Sequence, residues 1–219
     1  MVDNKLYTGK DGEYYSYSRP ELLKFIPKGI KSVLDIGCGE GNFGELLKSK
    51  DNYTVWGVEY DSTAAIKAEK KLDKVINADF DSSVTTLAGQ KFDLICFNDV
   101  LEHLVNPVET LIKCKELLTE TGYILASIPN IRWYPVVLSL LRYKDFKYQE
   151  AGVMDKSHLR FFTKKSMIRL FEETGYEILE VEGINKSKFK YFDILNALLL
   201  KSQNDMSYPQ FAIISTVKA

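Results

Sequence analysis

The stretch "VLDIGCGEGNFG" sets three glycines, Gly37, Gly39 and Gly41, behind an apolar run that carries one carboxylate, Asp35. Glycines there let the chain turn sharply and bring its backbone N–H groups against a ligand with no Cβ in the way. Read from Gly39, the same residues spell G-x-G-x-x-G with Gly41 and Gly44, the dinucleotide pattern. Asp35 separates the two chemistries, because it would repel a pyrophosphate and welcome a ligand bearing positive charge. The two histidines, His103 in "DVLEHLVNP" and His158 in "GVMDKSHLRFFT", are the candidate proton-transfer groups, since imidazole titrates near neutral pH. Either can instead be a packed, hydrogen-bonded structural residue, and both readings stay open.

These groups need a scaffold, and the chain alternates strand-like apolar runs with helically periodic segments. Strands are expected at 32–37, 53–59, 74–79, 92–98 and 123–129, most of them too apolar for a sheet with one wet face. Between them "NFGELLKSK", "STAAIKAEKKL" and "PVETLIKCKELL" carry apolar residues at helical spacing. Asn106 and Pro107 have the types of an N-cap and first helical residue, which leaves His103 in the loop before that helix. A helix over 163–174 closed by Gly175, the strand-like "YEILEVEGI", a helical "KYFDILNALLL" and a last strand "QFAIISTVK" follow. The pattern predicts an α/β fold with a largely parallel sheet and helices on both faces. Two long insertions, roughly 130–162 and 185–209, have the length of lids or binding loops.

With 219 residues, 45% of them hydrophobic, the chain can bury one sizeable core, so a single domain over 1–219 is expected. Lys and Arg number 29 against 30 acidic residues, a balance that offers no case for nucleic acid. Cys38, Cys96 and Cys114 lack metal-type or staple spacing, which suits a soluble protein of the reducing cytoplasm. No carboxylate and histidine cluster at ligand spacing is visible, so no metal is expected. Between Ile131 and Leu170 nine basic residues face three acidic ones. Arg132, Arg142 and Lys144 sit there among aromatic and aliphatic neighbours, so 131–147 either meets an anionic substrate or membrane interface or forms a lid helix with a basic outer face.

Taken in order, "VLDIGCGEG", "VWGVEYD", "NADF" and "FDLICFNDVLEHL" resemble the successive motifs of the class I S-adenosylmethionine-dependent methyltransferases over about residues 32–130. The resemblance implies a Rossmann-like seven-stranded sheet with an antiparallel last strand. It divides the domain into a cofactor-covering segment (1–31), a cofactor-binding half (32–130), a lid or substrate insertion (131–162) and the C-terminal half of the sheet (163–219). It implies S-adenosyl-L-methionine as cofactor and S-adenosyl-L-homocysteine as product. Asp35, Gly37, Gly39 and Gly41 would face the methionine part, and Glu59 would take both ribose hydroxyls. Asp79 would take the adenine amino group, or simply cap a turn in "ADFDSS". Phe80 would offer its backbone N–H and ring, and Asn98 its carbonyl to the ammonium group. Arg19 and Tyr15, in "EYYSYSRPELLKFIP", would close over the cofactor carboxylate, or pack on the surface.

For the acceptor side, "EHL" and Asp-x-x-His-Leu-Arg-Phe-Phe-Thr are similar to stretches of small-molecule and glycan O-methyltransferases. There His103 and His158 would be the base, and Asn130, Trp133, Asp155 and Arg160 would meet a small-molecule or saccharide acceptor. Two rivals remain: a nicotinamide-dependent oxidoreductase using the Gly39 frame, and a non-catalytic S-adenosylmethionine-binding module.

Overall fold

The computed structural model describes residues 15–198 and 200–218. Its seven strands are β1 (Ser32–Ile36), β2 (Thr54–Glu59), β3 (Lys74–Asn77), β4 (Phe92–Asn98), β5 (Leu118–Pro129), β6 (Tyr176–Ile184) and β7 (Gln210–Val217). They form one sheet in the order β3-β2-β1-β4-β5-β7-β6. β7 runs antiparallel to β5 and β6, and the remaining pairs are parallel. This is the mostly parallel Rossmann-like sheet with an antiparallel last strand.

Side chains alternate across the sheet, so each strand feeds two cores. Leu34, Ile95, Phe97, Ile124 and Ile213 point to one face, where Leu111 of helix α4 (Pro107–Cys114) and Met167 and Phe171 of α6 (Lys164–Glu173) cover them. Val33, Leu94, Cys96, Leu125 and Ile214 point to the other, under Phe43 and Leu47 of α1 (Asn42–Lys48) and Leu22 and Phe25 of a short 3-10 helix, Pro20–Phe25. α2 (Ser62–Ala68) adds Ala68 to that second face.

Caps fix several boundaries. Asn106 accepts the Glu109 N–H at the start of α4, with Pro107 as first residue. Thr163 and Ser166 form a reciprocal capping box on α6, and Gly175 follows that helix at φ 79°. Elsewhere the structure corrects the expected outline. The helix expected over "PVETLIKCKELL" ends at Cys114, and its last residue begins β5, where Leu118 pairs with Phe92. Helix α3 (Phe80–Leu87) was not expected, because Ser, Thr and Val are weak helix formers. It forms because Asp79 caps it and Phe80 and Leu87 are buried. α5 (Tyr134–Tyr143) has no buried residue, so it is not a lid packed flat on the sheet. Its first turn meets α7 (Lys190–Leu198) instead, through Tyr134 and Phe192 with ring centroids 4.6 Å apart.

The strand order turns outward in both directions between β1 and β4, so a crevice opens past their carboxyl ends, the usual ligand position of such sheets. The glycine loop follows β1 and "DVLEH" follows β4, which brings both to that crevice.

Candidate active site

Gly37, Gly39 and Gly41 all take positive φ, at 68°, 54° and 77°. The glycines at 37 and 39 are also sterically required. A Cβ on Gly37 would lie 2.6 Å from Val100 Cγ2, and one on Gly39 would lie 2.7 Å from the Tyr15 carbonyl oxygen. The loop therefore touches both the segment after β4 and the N-terminal cover. Residues 1–14 of that expected cover lie outside the described residues.

Asp35 is 1% exposed, and burial together with the nearby Glu59 carboxylate pushes its pKa up to about 8. Its recorded side-chain contact is a long one, from Asn98 Nδ2 at 3.4 Å. The other end of that amide, Asn98 Oδ1, is buried with no hydrogen-bond partner among the described residues. Among the described residues Asp35 has no ion-pair partner and stands beside an unpartnered amide oxygen, two acceptors placed for a cationic donor. The residues present thus fit a ligand bearing an ammonium and reject a pyrophosphate.

Glu59 is 6% exposed and already works within the protein, its two oxygens accepting from Gly39 N and Asp61 N at 2.8 Å each. Burial raises its pKa against those backbone bonds. Each carboxylate oxygen retains a second lone pair. Tyr15 stands over this end of the site, its phenol pushed up to about 12 by burial and by Asp61 and Glu59.

Other expected cofactor residues also hold bonds or contacts within the protein. Asp79 accepts from the Ser82 N–H and hydroxyl as the cap of α3, and those bonds hold its pKa low. The Phe80 ring lies inside the core, edge-on to Phe97. Arg19 is bound by the protein itself: it pairs with Asp99 at 3.0 Å and donates to Ser127 Oγ at 2.8 Å and Gln210 Oε1 at 3.3 Å. It sits at φ 51° immediately before the 3-10 helix that carries Leu22.

Past β4, His103 ends a one-turn 3-10 helix, Leu101–His103, rather than lying in open loop. This turn joins it to the other histidine. The Glu102 carbonyl accepts both Leu159 N and Arg160 N, and His103 Nδ1 lies 3.1 Å from the Ser157 carbonyl. His158 Nδ1 lies 3.2 Å from the Val153 carbonyl. A carbonyl can only accept, so each Nδ1 is the donor in its bond. Both rings are 8% exposed.

Glu102, 1% exposed, completes the group. Among the described residues neither carboxylate oxygen has a hydrogen-bond partner, and His158 Nε2 stands 3.8 Å from Oε1. Burial, then the Asp99 charge, drives its pKa well upward. One ligand-type atom each from Glu102, His103 and His158 fall within 4.8 Å of one another, which makes this the metal-capable group among the described residues. It had no signature in the sequence, because His158 joins through the fold and not through spacing.

The expected acceptor residues divide. Asn130 is fully buried and braces the chain, donating to the Asp205 and Tyr208 carbonyls at 2.9 Å each and accepting from Arg132 N. Asp155 is 1% exposed and caps its own turn through Ser157 N and Oγ. Arg160 is exposed and donates to the Val105 carbonyl at 2.7 Å. Trp133 differs, because its Nε1 is buried with no hydrogen-bond partner. Ser127, Gln210, Asp99 and Glu102 were missed as site residues, since nothing in their spacing links β5, β7 and the turn after β4.

Comparison with known proteins agrees with this architecture. A family model described as "Methyltransferase domain" matches residues 10–181, and the chain belongs to that family. The ubiquinone biosynthesis O-methyltransferase of Coxiella burnetii strain RSA 331 is 25% identical over 179 residues, covering 78% of this chain and 76% of that protein. The protein of the same name from Dinoroseobacter shibae is 27% identical over 162 residues, covering 72% and 64%. A solved SAM-dependent methyltransferase from Archaeoglobus fulgidus superposes with a TM-score of 0.70 at 21% identity, covering 94% of each chain. The chain is an S-adenosylmethionine-dependent methyltransferase.

Proposed function

We propose that this enzyme methylates a hydroxyl of a small molecule or of a sugar in a glycan precursor. The observation that carries the reading is the pair of buried imidazoles past β4, packed edge to face and each oriented by a backbone carbonyl, with the Glu102 carboxyl beside His158. S-adenosylmethionine supplies an electrophilic methyl group on a sulfonium sulfur. Transfer to an alcohol then needs alignment, exclusion of water and removal of one proton. His103 Nε2 accepts that proton, and the His158 ring packed edge-on against His103 holds it in place. Asp35 and Asn98 hold the cofactor's ammonium, Glu59 its ribose, and the Trp133 indole N–H is offered to the acceptor. Asn130, Asp155 and Arg160 act as braces of the acceptor side. The names of the relatives, O-methyltransferases of ubiquinone biosynthesis, favour oxygen as the nucleophile.

A second reading is favoured by the closeness of Glu102, His103 and His158. They would hold a divalent cation, which lowers the pKa of a bound hydroxyl directly. The expectation of no metal came from spacing alone, and this cluster weighs against it.

Among the described residues no helix is long and apolar enough to cross a membrane. The buried free cysteines support a reducing cytoplasmic location. Leu141 and Tyr143 are exposed on α5 beside Arg142 and Lys144, which supports contact of 131–147 with an anionic membrane interface. Incubation with S-adenosylmethionine labelled in its methyl group and a panel of phenols, sugars and amines tests the acceptor chemistry. Label on hydroxyl oxygen is expected, and transfer confined to nitrogen or carbon would sink the reading.

A further inference from the structure

Beyond β6 and before β7, on the side of the sheet where the parallel strands end, lies a cavity of about 260 Å³. Lys186, Asn196, Lys201, Asn204, Ser207 and Tyr208 line it, and no carboxylate stands among the described lining residues. Among the described residues no carboxylate pairs with either lysine; the nearby Asp205 is taken by Arg132 at 2.7 Å. Lys186 lies over the Tyr208 ring at 5.9 Å. Both lysines are exposed, so the concave space carries two cationic side chains on its wall.

The wall is built rather than incidental. Asn196 is 5% exposed, and its side chain and carbonyl fold the following loop. The Asn196 carbonyl accepts Lys201 N at 2.7 Å, its Oδ1 accepts Gln203 N at 2.9 Å, and its Nδ2 donates to Asn204 Oδ1 at 2.8 Å. That clamp holds Leu200 and Lys201 at φ 51° and 58°, two successive non-glycine residues in the left-handed region. Such a conformation costs about 1–3 kcal/mol per residue and persists only where the surroundings enforce it. Here its result is to set Lys201 on the rim of the cavity. Ser207, 3% exposed, adds a hydroxyl to the same wall.

The cavity is also coupled to the acceptor side. Asn130 Nδ2 donates to the carbonyls of Asp205 and Tyr208, and Asn130 N to that of Pro209. The segment that forms the wall is thus tied to the end of β5.

We infer that this cavity is a phosphate-binding subsite that holds a phosphate or diphosphate ester group of the methyl acceptor. Two point-charge ammonium donors with amide and hydroxyl donors suit an oxyanion with several acceptor oxygens and more than one negative charge. The volume is below that of a pocket for a whole drug-sized ligand, about 300–1,000 Å³, and suits one anionic group of a larger molecule. The inference rests on the reading of the acceptor as a polar small molecule or glycan precursor.

Calorimetric titration of the purified full-length protein with inorganic pyrophosphate tests it. Saturable binding is expected, weakened about ten-fold or more in Lys186→Ala and in Lys201→Ala, the scale of a lost charged contact. Affinity for S-adenosylmethionine, measured on the same samples, should stay level. Uridine diphosphate and phosphatidylcholine vesicles containing phosphatidic acid separate the sources. Stronger binding of the nucleotide assigns a soluble ester, and vesicle binding that disappears in Lys201→Ala assigns a lipid ester. No pyrophosphate binding at about 10 mM, where even millimolar affinity would show, or binding undiminished in both variants, would overturn the subsite. Loss of S-adenosylmethionine binding is read separately and bears on the methyltransferase site alone.

Discussion

The rings of His103 and His158 meet edge to face with centroids 4.7 Å apart, one from the turn after β4 and one from the returning insertion. Each is oriented from behind by a backbone carbonyl, and Glu102 stands beside His158. The pair is therefore preorganised, and its members differ in what their loss removes. His103→Ala should leave S-adenosylmethionine affinity near wild type and lower turnover by ~10²-fold or more, the scale of a general base. His158→Ala should lower turnover less and move the pH profile, because it removes the partner and not the base. Calorimetry and initial rates over a pH series check both, and an undiminished rate in His103→Ala would return that ring to packing.

Asp35 links stability to function with opposite signs. Its pKa of about 8 in the fold compares with about 3.9 in an unfolded chain. Between those values the unfolded chain releases a proton that the fold retains, so this group lowers stability progressively as pH rises from about 4 to about 8. Asp35→Asn removes that penalty. Its Tm should exceed wild type by about 3–6 °C at pH 8 and match it near pH 4, while affinity for S-adenosylmethionine falls by at least about ten-fold. An equal offset at both pH values, seen by thermal melts without cofactor, would show that ionisation of Asp35 is not the cause.

Glu59 accepts from the glycine loop and from the start of α2 at once. Replacing it with Ala deletes a ligand acceptor and the bond that holds Gly39 N. Cofactor binding should weaken by about 1.5–3 kcal/mol, the range for hydrogen bonds to a charged group. Unchanged affinity in a direct titration would remove Glu59 from the site.

Two glycines with similar backbones isolate the role of the loop. Gly89 has φ 79° and nothing within 4 Å of an added Cβ, so Gly89→Ala should lose only about 1–2 kcal/mol of left-handed strain. Gly39 has φ 54°, and its Cβ would lie 2.7 Å from the Tyr15 carbonyl oxygen, a backbone atom that cannot swing away. Gly39→Ala should lose more stability than Gly89→Ala and should bind S-adenosylmethionine more weakly, whereas Gly89→Ala binds it normally. Parallel denaturant melts and titrations make the comparison.

Residues whose role depends on local sequence were legible: the loop glycines after β1, the Asn106-Pro107 start of α4, and the Thr163 start and Gly175 close of α6. Asp35 could be read because a carboxylate in an apolar strand end is electrostatically odd wherever it occurs. α3 was not legible, since its stability comes from burial of Phe80 and Leu87 and not from propensity. Nor was the use of Asn130 as a brace, which depends on where 205–208 return. The meeting of His103 with His158 depends on one carbonyl, that of Glu102, accepting two amides from a distant segment. No periodicity or spacing encodes that event.

Chelation separates the two readings of the Glu102, His103 and His158 group. If the imidazoles act as base and partner, the neutral acid form of Glu102 is what burial favours, and no cation is needed to balance it. Turnover should then survive dialysis against EDTA within about two-fold. If a divalent cation is held, the same treatment abolishes turnover, added Mg²⁺, Mn²⁺ or Zn²⁺ restores it, and Glu102→Gln loses both metal and activity. The expected result is the first, because burial favours the neutral form of Glu102 and a carboxyl must be deprotonated to ligate a cation. Elemental analysis of the purified protein gives an independent answer: a stoichiometric transition metal that His158→Ala fails to retain would transfer the assignment to the cation.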